Sequence, residues 1–349
     1  MENNPQFSSN PGPENRDVND TFSAPAFVYP PKPELENKKG NVWVRSITSL
    51  ALYLLIGYYF FSYFFSYFFS ANWALLVILT AIVIFHEFGH FLAMKAFHYK
   101  ELGIFFIPLL GAYASGTKRE VSQKQSAIIL LAGPLPGIIV GILLFIIAKN
   151  RAIADEAYPQ LETSATFLIL LNVFNLLPIY PLDGGQLLNR LFLDESKIIG
   201  KVFVVVSALA LGYLAVKIPF YPLLVFPAVL LYRMWSDARF DKMTHKVEAN
   251  GINLEKTYEE ITDEEYWKIR NTLLENNYST LRNVNPAPPY EYSAHEDKVV
   301  NVIENLLQRT IIQDLSWFGK VIVILIWAGS FAAPFLLNMD LPFLSYHAR

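Results

Sequence analysis

The chain has 349 residues, of which 53% are hydrophobic and only 17% charged, with a net charge of −3. So few charges exclude a chain built only of ordinary soluble domains, where about a quarter of residues are charged. The absence of cysteine excludes disulfides, thiolate metal ligands and a cysteine nucleophile, which leaves His, Asp and Glu to hold any metal.

The first 42 residues are polar and rich in Pro and Asn, with no secretory signal; their low apolar content predicts a disordered cytosolic tail over 1–42. Nearly charge-free blocks follow at Ser46–Phe69, Trp73–Phe97, Ala127–Ala148, Thr166–Pro178 and Ile198–Val216, with another near the C-terminus at Val321–Leu337. A helix crosses the roughly 30 Å hydrocarbon slab in about 20 residues. Phe220–Leu231 is shorter and carries Pro222 and Pro227, which predicts a broken or partial span. The pattern predicts an all-α polytopic membrane protein. About six helices over 43–235 form its core, a cytosolic helical region follows over 236–316, and a C-terminal transmembrane helix lies in 317–349.

Lys and Arg concentrate in alternate loops, from Lys38, Lys39 and Arg45 to Arg233, Arg239 and Lys242. The positive-inside rule then places the N-terminus and the 236–316 region in the cytosol and the C-terminus outside. Such charge placement suits a multi-pass protein of a bacterial cytoplasmic membrane.

Along the first block, Ser62, Ser66 and Ser70 share one helix face, a stripe suited to close helix packing. Gly103, Pro108, Gly111 and Gly116 break the helical pattern after the second block, and Gly111, Ala112, Tyr113, Ala114, Ser115 and Gly116 alternate like a strand. Non-helical backbone at membrane depth needs shielding by protein, so a small membrane-embedded β-hairpin is predicted there. Its free edge either pairs with an unwound substrate by β-augmentation or only packs over a site. The third span is read to open at Gly133-Pro134-Leu135-Pro136-Gly137, where Gly133, Gly137 and Gly141 form a small-residue packing face. In the cytosolic region, Thr262–Glu265 and Ser293–Glu296 read as capping boxes, and Asn283–Tyr292 as their linker.

The chemistry-bearing residues begin in the second block with His86-Glu87-Phe88-Gly89-His90. His86 and His90 lie one helical turn apart, so both imidazoles reach one zinc ion, and Glu87 beside them reaches the water as general base. A carboxylate in an apolar span costs about 3 kcal/mol on insertion scales, and intramembrane ionisable groups are functional by default. Catalytic zinc takes a third protein ligand and keeps an open position. Asp183, in Asn175-Leu-Leu-Pro178-Ile-Tyr-Pro181-Leu-Asp183-Gly184-Gly185, is the candidate, with the prolines ending a helix and the glycines turning the chain around it. Counting from Trp73 to His86 and from Thr166 to Pro178 puts both motifs about 18–20 Å below the outer face.

Together, HEFGH, AGPLPG and NLLPIYPLDGG resemble the site-2 protease family of intramembrane zinc metalloproteases, peptidase family M50, over roughly 85–186 and the surrounding spans. The resemblance implies that His86, His90 and Asp183 bind one Zn2+ per chain and that Glu87 is the catalytic base. It implies too that Asn175 positions the reacting carbonyl and that Gly111–Gly116 pairs with substrate. The partners it implies are transmembrane protein substrates within the lipid and an upstream protease or regulatory membrane protein; nucleic acid is not among them. Pro136 and Gly137 depart from the family's usual small and Asn-Phe residues. A catalytically inactive metal-binding membrane scaffold of the same family is the alternative. Di-iron oxygenases need several histidine boxes, and His98, His245, His295 and His347 are isolated.

Overall fold

The computed structural model describes residues 29–34, 41–60, 73–108, 111–118, 121–149, 158–193, 197–217, 221–276, 281, 284, 290–307 and 311–337. The Ser62, Ser66 and Ser70 stripe, most of the 1–42 tail and of the Asn283–Tyr292 linker, and residues 338–349 lie outside them.

Two apolar helices come first, α1 (Val42–Phe60) and α2 (Trp73–Ala96). The antiparallel hairpin β1 (Lys100–Ile107) and β2 (Gly111–Thr117) follows, pairing Ile104 with Ala114 and Phe106 with Ala112. After the two-residue strand β3 (Val121–Ser122) come α3 (Gln123–Ala132) and α4 (Pro134–Lys149), then α5 (Tyr158–Asn175) and the short α6 (Asp183–Leu188), which runs into a π-turn over Asn189–Leu193. Helix α7 (Lys197–Lys217) and the long α8 (Val225–Ala249) lead to α9 (Asp263–Glu275) and α10 (Glu296–Leu306). The described chain closes with β4 (Ile311–Ile312), α11 (Trp317–Ser330) and α12 (Ala333–Leu336).

Among the described residues, four segments are long and apolar enough to cross a membrane: Val42–Tyr59, Leu76–Ala96, Gln123–Lys149 and Ile198–Lys217. The chain is a multi-pass membrane protein. The bounds of several predicted spans differ in the structure. The third span opens at Gln123, and Gly133–Pro134 breaks it in the middle. Its N-terminus is capped by Ser122, whose Oγ accepts from Gln125 N, so the first turn lies well before the proline. Helix α5 starts eight residues before Thr166, because Glu162 is neutralised by Lys149 across the loop (2.6 Å). The count from Thr166 therefore starts eight residues late, while the similar depth it gave for the two motifs stands, since Asp183 meets His86 and His90. Phe220–Leu231 is not an isolated broken span either. After a 3-10 turn at Tyr221–Leu224, α8 runs unbroken past residue 235 to Ala249, since Pro227 falls in its first turn, where no N–H is missed. Helix α11 is 14 residues, about 21 Å, shorter than a full span.

Instead of standing apart, the C-terminal segment clamps the core. Strand β4 pairs in parallel with β3, Asp314 accepts from Ser122 Oγ (2.6 Å) and Lys124 N (3.0 Å), and α11 packs Val323, Trp327 and Phe331 on Leu176 and its neighbours.

The 236–316 region has its own apolar core, centred on Trp267, Tyr266, Leu273, Val299 and Ile303. The capping box at Thr262–Glu265 is present. The second is not. Glu296 is the first residue of α10, and its carboxylate closes on the buried Arg270 (2.7 Å) and on Tyr266 Oη (2.6 Å), while His295 occupies the cap. The carboxylate also accepts from Ser293 N (2.8 Å), but the Ser293 hydroxyl accepts from His295 N (3.3 Å) and not from Glu296 N, so only the glutamate half of the box is made. The tail is also corrected in part: residues 29–34 are ordered against this region.

Candidate metal centre

Helix α2 presents His86, Glu87 and His90 inward; all are buried, at 5%, 6% and 7% exposure. Asp183 reaches them from the first turn of α6. Three atoms converge: His86 Nε2 and His90 Nε2 are 3.1 Å apart, and Asp183 Oδ2 lies 3.0 Å from the first and 3.3 Å from the second. A tetrahedral zinc with bonds of about 2.0–2.1 Å sets its ligand atoms about 3.3 Å apart, so the spacing fits.

The protons decide what holds these atoms together. Asn172 Nδ2 donates to Leu168 O (2.6 Å), which turns its Oδ1 toward His86 Nδ1 (2.8 Å); that nitrogen is therefore the donor. His90 Nδ1 faces Ile129 O (2.7 Å), and a carbonyl only accepts, so this nitrogen also carries its ring's proton. In neutral rings both Nε2 atoms are bare, and Asp183 Oδ2 is buried without a hydrogen-bond donor. Three lone pairs thus point at one another with no proton between them. Such an arrangement repels unless a cation fills it, and His86, His90 and Asp183 meet the geometry of a metal-ligand group.

Glycines make room for this. A Cβ on Gly133 would lie 2.3 Å from His90 Nε2, and one on Gly137 2.2 Å from Asn172 Nδ2. The small-residue face predicted for helix packing does pack, Gly133 against the His90 ring, Gly137 against the Asn172 amide and Gly141 against Ile169. Gly184 and Gly185 likewise serve close approach. They lie within α6 rather than in a turn around Asp183, and a Cβ on Gly184 would sit 1.9 Å from Leu176 O. Trp327 Nε1 of α11 donates to that same carbonyl (2.8 Å), tying the C-terminal clamp to the α5–α6 connection.

Glu87, the next residue along α2, accepts at Oε2 from Ala114 N of β2 (2.7 Å). That N–H is therefore turned away from β1, and so by strand alternation is that of Ala112, while Tyr113 and Ser115 turn theirs toward β1. Gly111 and Ala112, with His86, Glu87, Asn172 and Asn175, line one cavity of about 440 Å³. Gly116 sits at the far end, packed under Met94 and Leu102. Of the sequence-predicted residues, the structure brings together His86, His90 and Asp183 as a metal-ligand group, Glu87 beside them and the near end of Gly111–Gly116. Asn175 stands at the cavity wall, whereas the asparagine bonded to a ligand is Asn172, which the sequence reading missed. Its signal was a second amide in the apolar stretch of α5, three residues from Asn175 on the same face.

A model of peptidase family M50 matches residues 74–152. Zinc metalloprotease MJ0392 of Methanocaldococcus jannaschii is 32% identical over 156 residues, covering 42% of this chain and 45% of that protein. Stage IV sporulation protein FB of Bacillus subtilis is 32% identical over 117 residues, covering 34% of this chain and 40% of that protein. Among solved structures, a site-2 protease from Methanocaldococcus jannaschii overlaps 51% of this chain and 85% of its own length, at 24% identity and a TM-score of 0.39. The chain spans less than half the length of the curated relatives it matches. The matched residues carry both histidines, Glu87, the hairpin and Gly133–Gly137, and over that part the chain is similar to peptidase family M50.

Proposed function

We propose that this protein is a zinc-dependent endopeptidase that hydrolyses peptide bonds in or near the transmembrane segments of membrane proteins. The observation that carries the reading is the convergence of three proton-free ligand atoms next to a buried glutamate at the end of an apolar cavity. His86, His90 and Asp183 would hold the ion. Zinc, when bound, supplies Lewis acidity toward a carbonyl oxygen and acidifies water.

The remaining work falls to the chain. Asn172 and Ile129 O fix the two imidazoles in the tautomer that leaves Nε2 free. Glu87, as general base, takes the proton of the attacking water and later passes it to the leaving amine, a role worth roughly 10²–10⁴ in rate. The cavity between α2, α5 and α7 is lined by apolar side chains such as Leu79, Val83 and Leu214, and it accepts an apolar peptide segment while keeping bulk water out. Asn175, on its wall, would donate to the peptide carbonyl. A helical substrate hides its own amides, so it must unwind before attack, and the outward edge of β2 at Ala112 offers an extended partner. The protein would work in a bacterial cytoplasmic membrane with its N-terminus and the 236–316 region in the cytosol. Transmembrane proteins would be its substrates, and an upstream protease or regulatory membrane partner would control their supply.

The test is cleavage of a labelled transmembrane substrate in proteoliposomes, run with a metal assay. Glu87→Gln should keep about one zinc per chain and lose cleavage by a hundredfold or more. Asp183→Ala should lose both. If Glu87→Gln and wild type are equally inactive on every transmembrane segment offered, the inactive-scaffold alternative holds. If Asp183→Ala keeps its zinc, the ligand assignment is wrong.

A further inference from the structure

The 236–316 region holds six residues of the distant N-terminal tail, Tyr29-Pro30-Pro31-Lys32-Pro33-Glu34. Three prolines in four residues pre-set φ near −65° and remove three N–H donors, leaving a stiff strand whose carbonyls have no partners of their own. Each side group in the cradle answers one of those needs. Trp267 Nε1 donates to Pro30 O (2.8 Å), Tyr292 Oη donates to Pro31 O, and Tyr258 Oη donates to Pro33 O (2.8 Å). The one remaining N–H among residues 30–33, that of Lys32, donates to Asp263 Oδ1 (2.8 Å). The Lys32 ammonium uses its three donors on Tyr258 O (2.6 Å), Glu259 O (3.0 Å) and Ile261 O (2.5 Å), and lies over the Tyr258 ring. Tyr29 meets Tyr290 edge-on, and Tyr290 and Tyr292 flank the Trp267 ring.

Aromatic rings with outward-pointing N–H and O–H donors, matched to the carbonyls of a proline strand, make a recognition surface for polyproline-type peptides. The tail is a ligand here and not a core element. The buried core of the region is complete from Val247 to Leu307 without residues 30–34, and only Tyr29 packs against its margin.

We propose that residues 247–307 form a binding module for proline-rich segments of the type Pro-Pro-Lys-Pro, that Tyr29–Glu34 occupies it in cis, and that a proline-rich segment of another protein takes the same cradle when the tail leaves. Lysine at the third position is selected by the three carbonyls, which an arginine fork or an apolar side chain cannot satisfy in the same geometry.

A tethered ligand competes at an effective concentration on the order of 1 mM, so a peptide with a Kd of about 10 μM should bind the intact chain roughly a hundredfold more weakly than an emptied cradle. The experiment uses the full chain in detergent and a fluorescent peptide of residues 27–36. Replacing the tail segment in place (Pro30→Gly, Pro31→Gly, Lys32→Ser, Pro33→Gly) should raise peptide affinity on the order of a hundredfold over wild type. Adding Tyr258→Phe and Tyr292→Phe, which remove only the two hydroxyls, should take about tenfold or more back, as should a peptide with Lys32→Met. The proposal fails if the replaced chain does not bind the peptide while 247–307 keeps its hydrogen-exchange protection. It fails equally if that protection collapses, since the tail would then belong to the core. Equal binding to wild type and the replaced chain would put the peptide elsewhere and also overturn it.

Discussion

Substituting a single methyl group at Gly137 tests the proton arrangement at the metal centre without touching a ligand. In Gly137→Ala the new carbon would lie 2.2, 2.6 and 2.8 Å from Asn172 Nδ2, Cγ and Oδ1. Non-bonded atoms of this kind need about 3.5 Å, so the amide or helix α4 must retreat by roughly 1 Å. A free side chain would swing aside at little cost. Asn172 is not free: it is 1% exposed, and both ends of its amide are engaged, by His86 Nδ1 and Leu168 O. Overpacking of this kind costs about 1–3 kcal/mol, from which up to about 1 kcal/mol of gained helix propensity is subtracted. Loss of the orienting bond on a ligand histidine typically weakens metal binding 10–100-fold. Zinc affinity by chelator competition and the thermal midpoint in detergent are the measurements. Gly212→Ala in α7, where a Cβ meets nothing within 4 Å, is the control and should keep zinc affinity and be neutral or slightly stabilising. In an Asn172→Ala background the clash has no partner, so Gly137→Ala should add little further loss. Wild-type zinc affinity and stability in Gly137→Ala, or simple additivity with Asn172→Ala, would refute the account of His86 orientation.

Proline on the hairpin separates substrate pairing from the base. Ala112→Pro removes an outward N–H and should abolish cleavage with zinc retained; undiminished cleavage would leave β2 a mere cover. Trp327→Phe leaves the buried Leu176 carbonyl without its donor, which should cost about 1–3 kcal/mol and loosen zinc by moving the α5–α6 connection; an unchanged midpoint would mean that the C-terminal clamp is peripheral. Reporter fusions after Arg190 and His245 should report the cytosolic side and a fusion after Lys149 the outer side; the reverse would invert the orientation taken from the Lys and Arg bias.

The candidate metal-ligand group was legible because its chemistry is written in residue types at fixed spacing: two histidines four apart with a glutamate between them, and an aspartate before two glycines. What could not be read was everything that depends on which backbone lies opposite. Asn172 and Asn175 are equal in sequence, and only the packing of α4, with a glycine opposite residue 172, decides which amide meets His86. Charge-free block length misjudged α5, since Glu162 is compatible with the helix once Lys149 answers it. It misjudged α11 in the opposite sense, since the apolar run to Leu337 is interrupted by a turn at residues 331–332 before Pro334. The tail segment 29–34 reads as disordered by composition because prolines and a lysine bury little apolar surface. Its recognition runs through main-chain carbonyls, which composition does not record.

The hairpin itself was legible as a non-helical, small-residue segment, and its two edges explain how it is tolerated beside apolar helices. An open strand edge in a dry setting leaves donors unmet. On the β1 side, Phe106 N donates to Ser49 Oγ of α1 (3.1 Å); on the β2 side, Ala114 N donates to Glu87. Each edge is thus closed by a side chain from a different helix. One of those side chains is the group read as the catalytic base. An N–H donates fully to one acceptor at a time, so a substrate strand extending along β2 from Ala112 to Ala114 has to take the Ala114 N–H from Glu87. Substrate pairing and release of the base are then a single exchange of hydrogen bonds. A shorter peptide that pairs only at Ala112 would leave the glutamate tethered. The geometry therefore favours an unwound segment of several residues over a brief loop, by way of the same carboxylate that the chemistry requires.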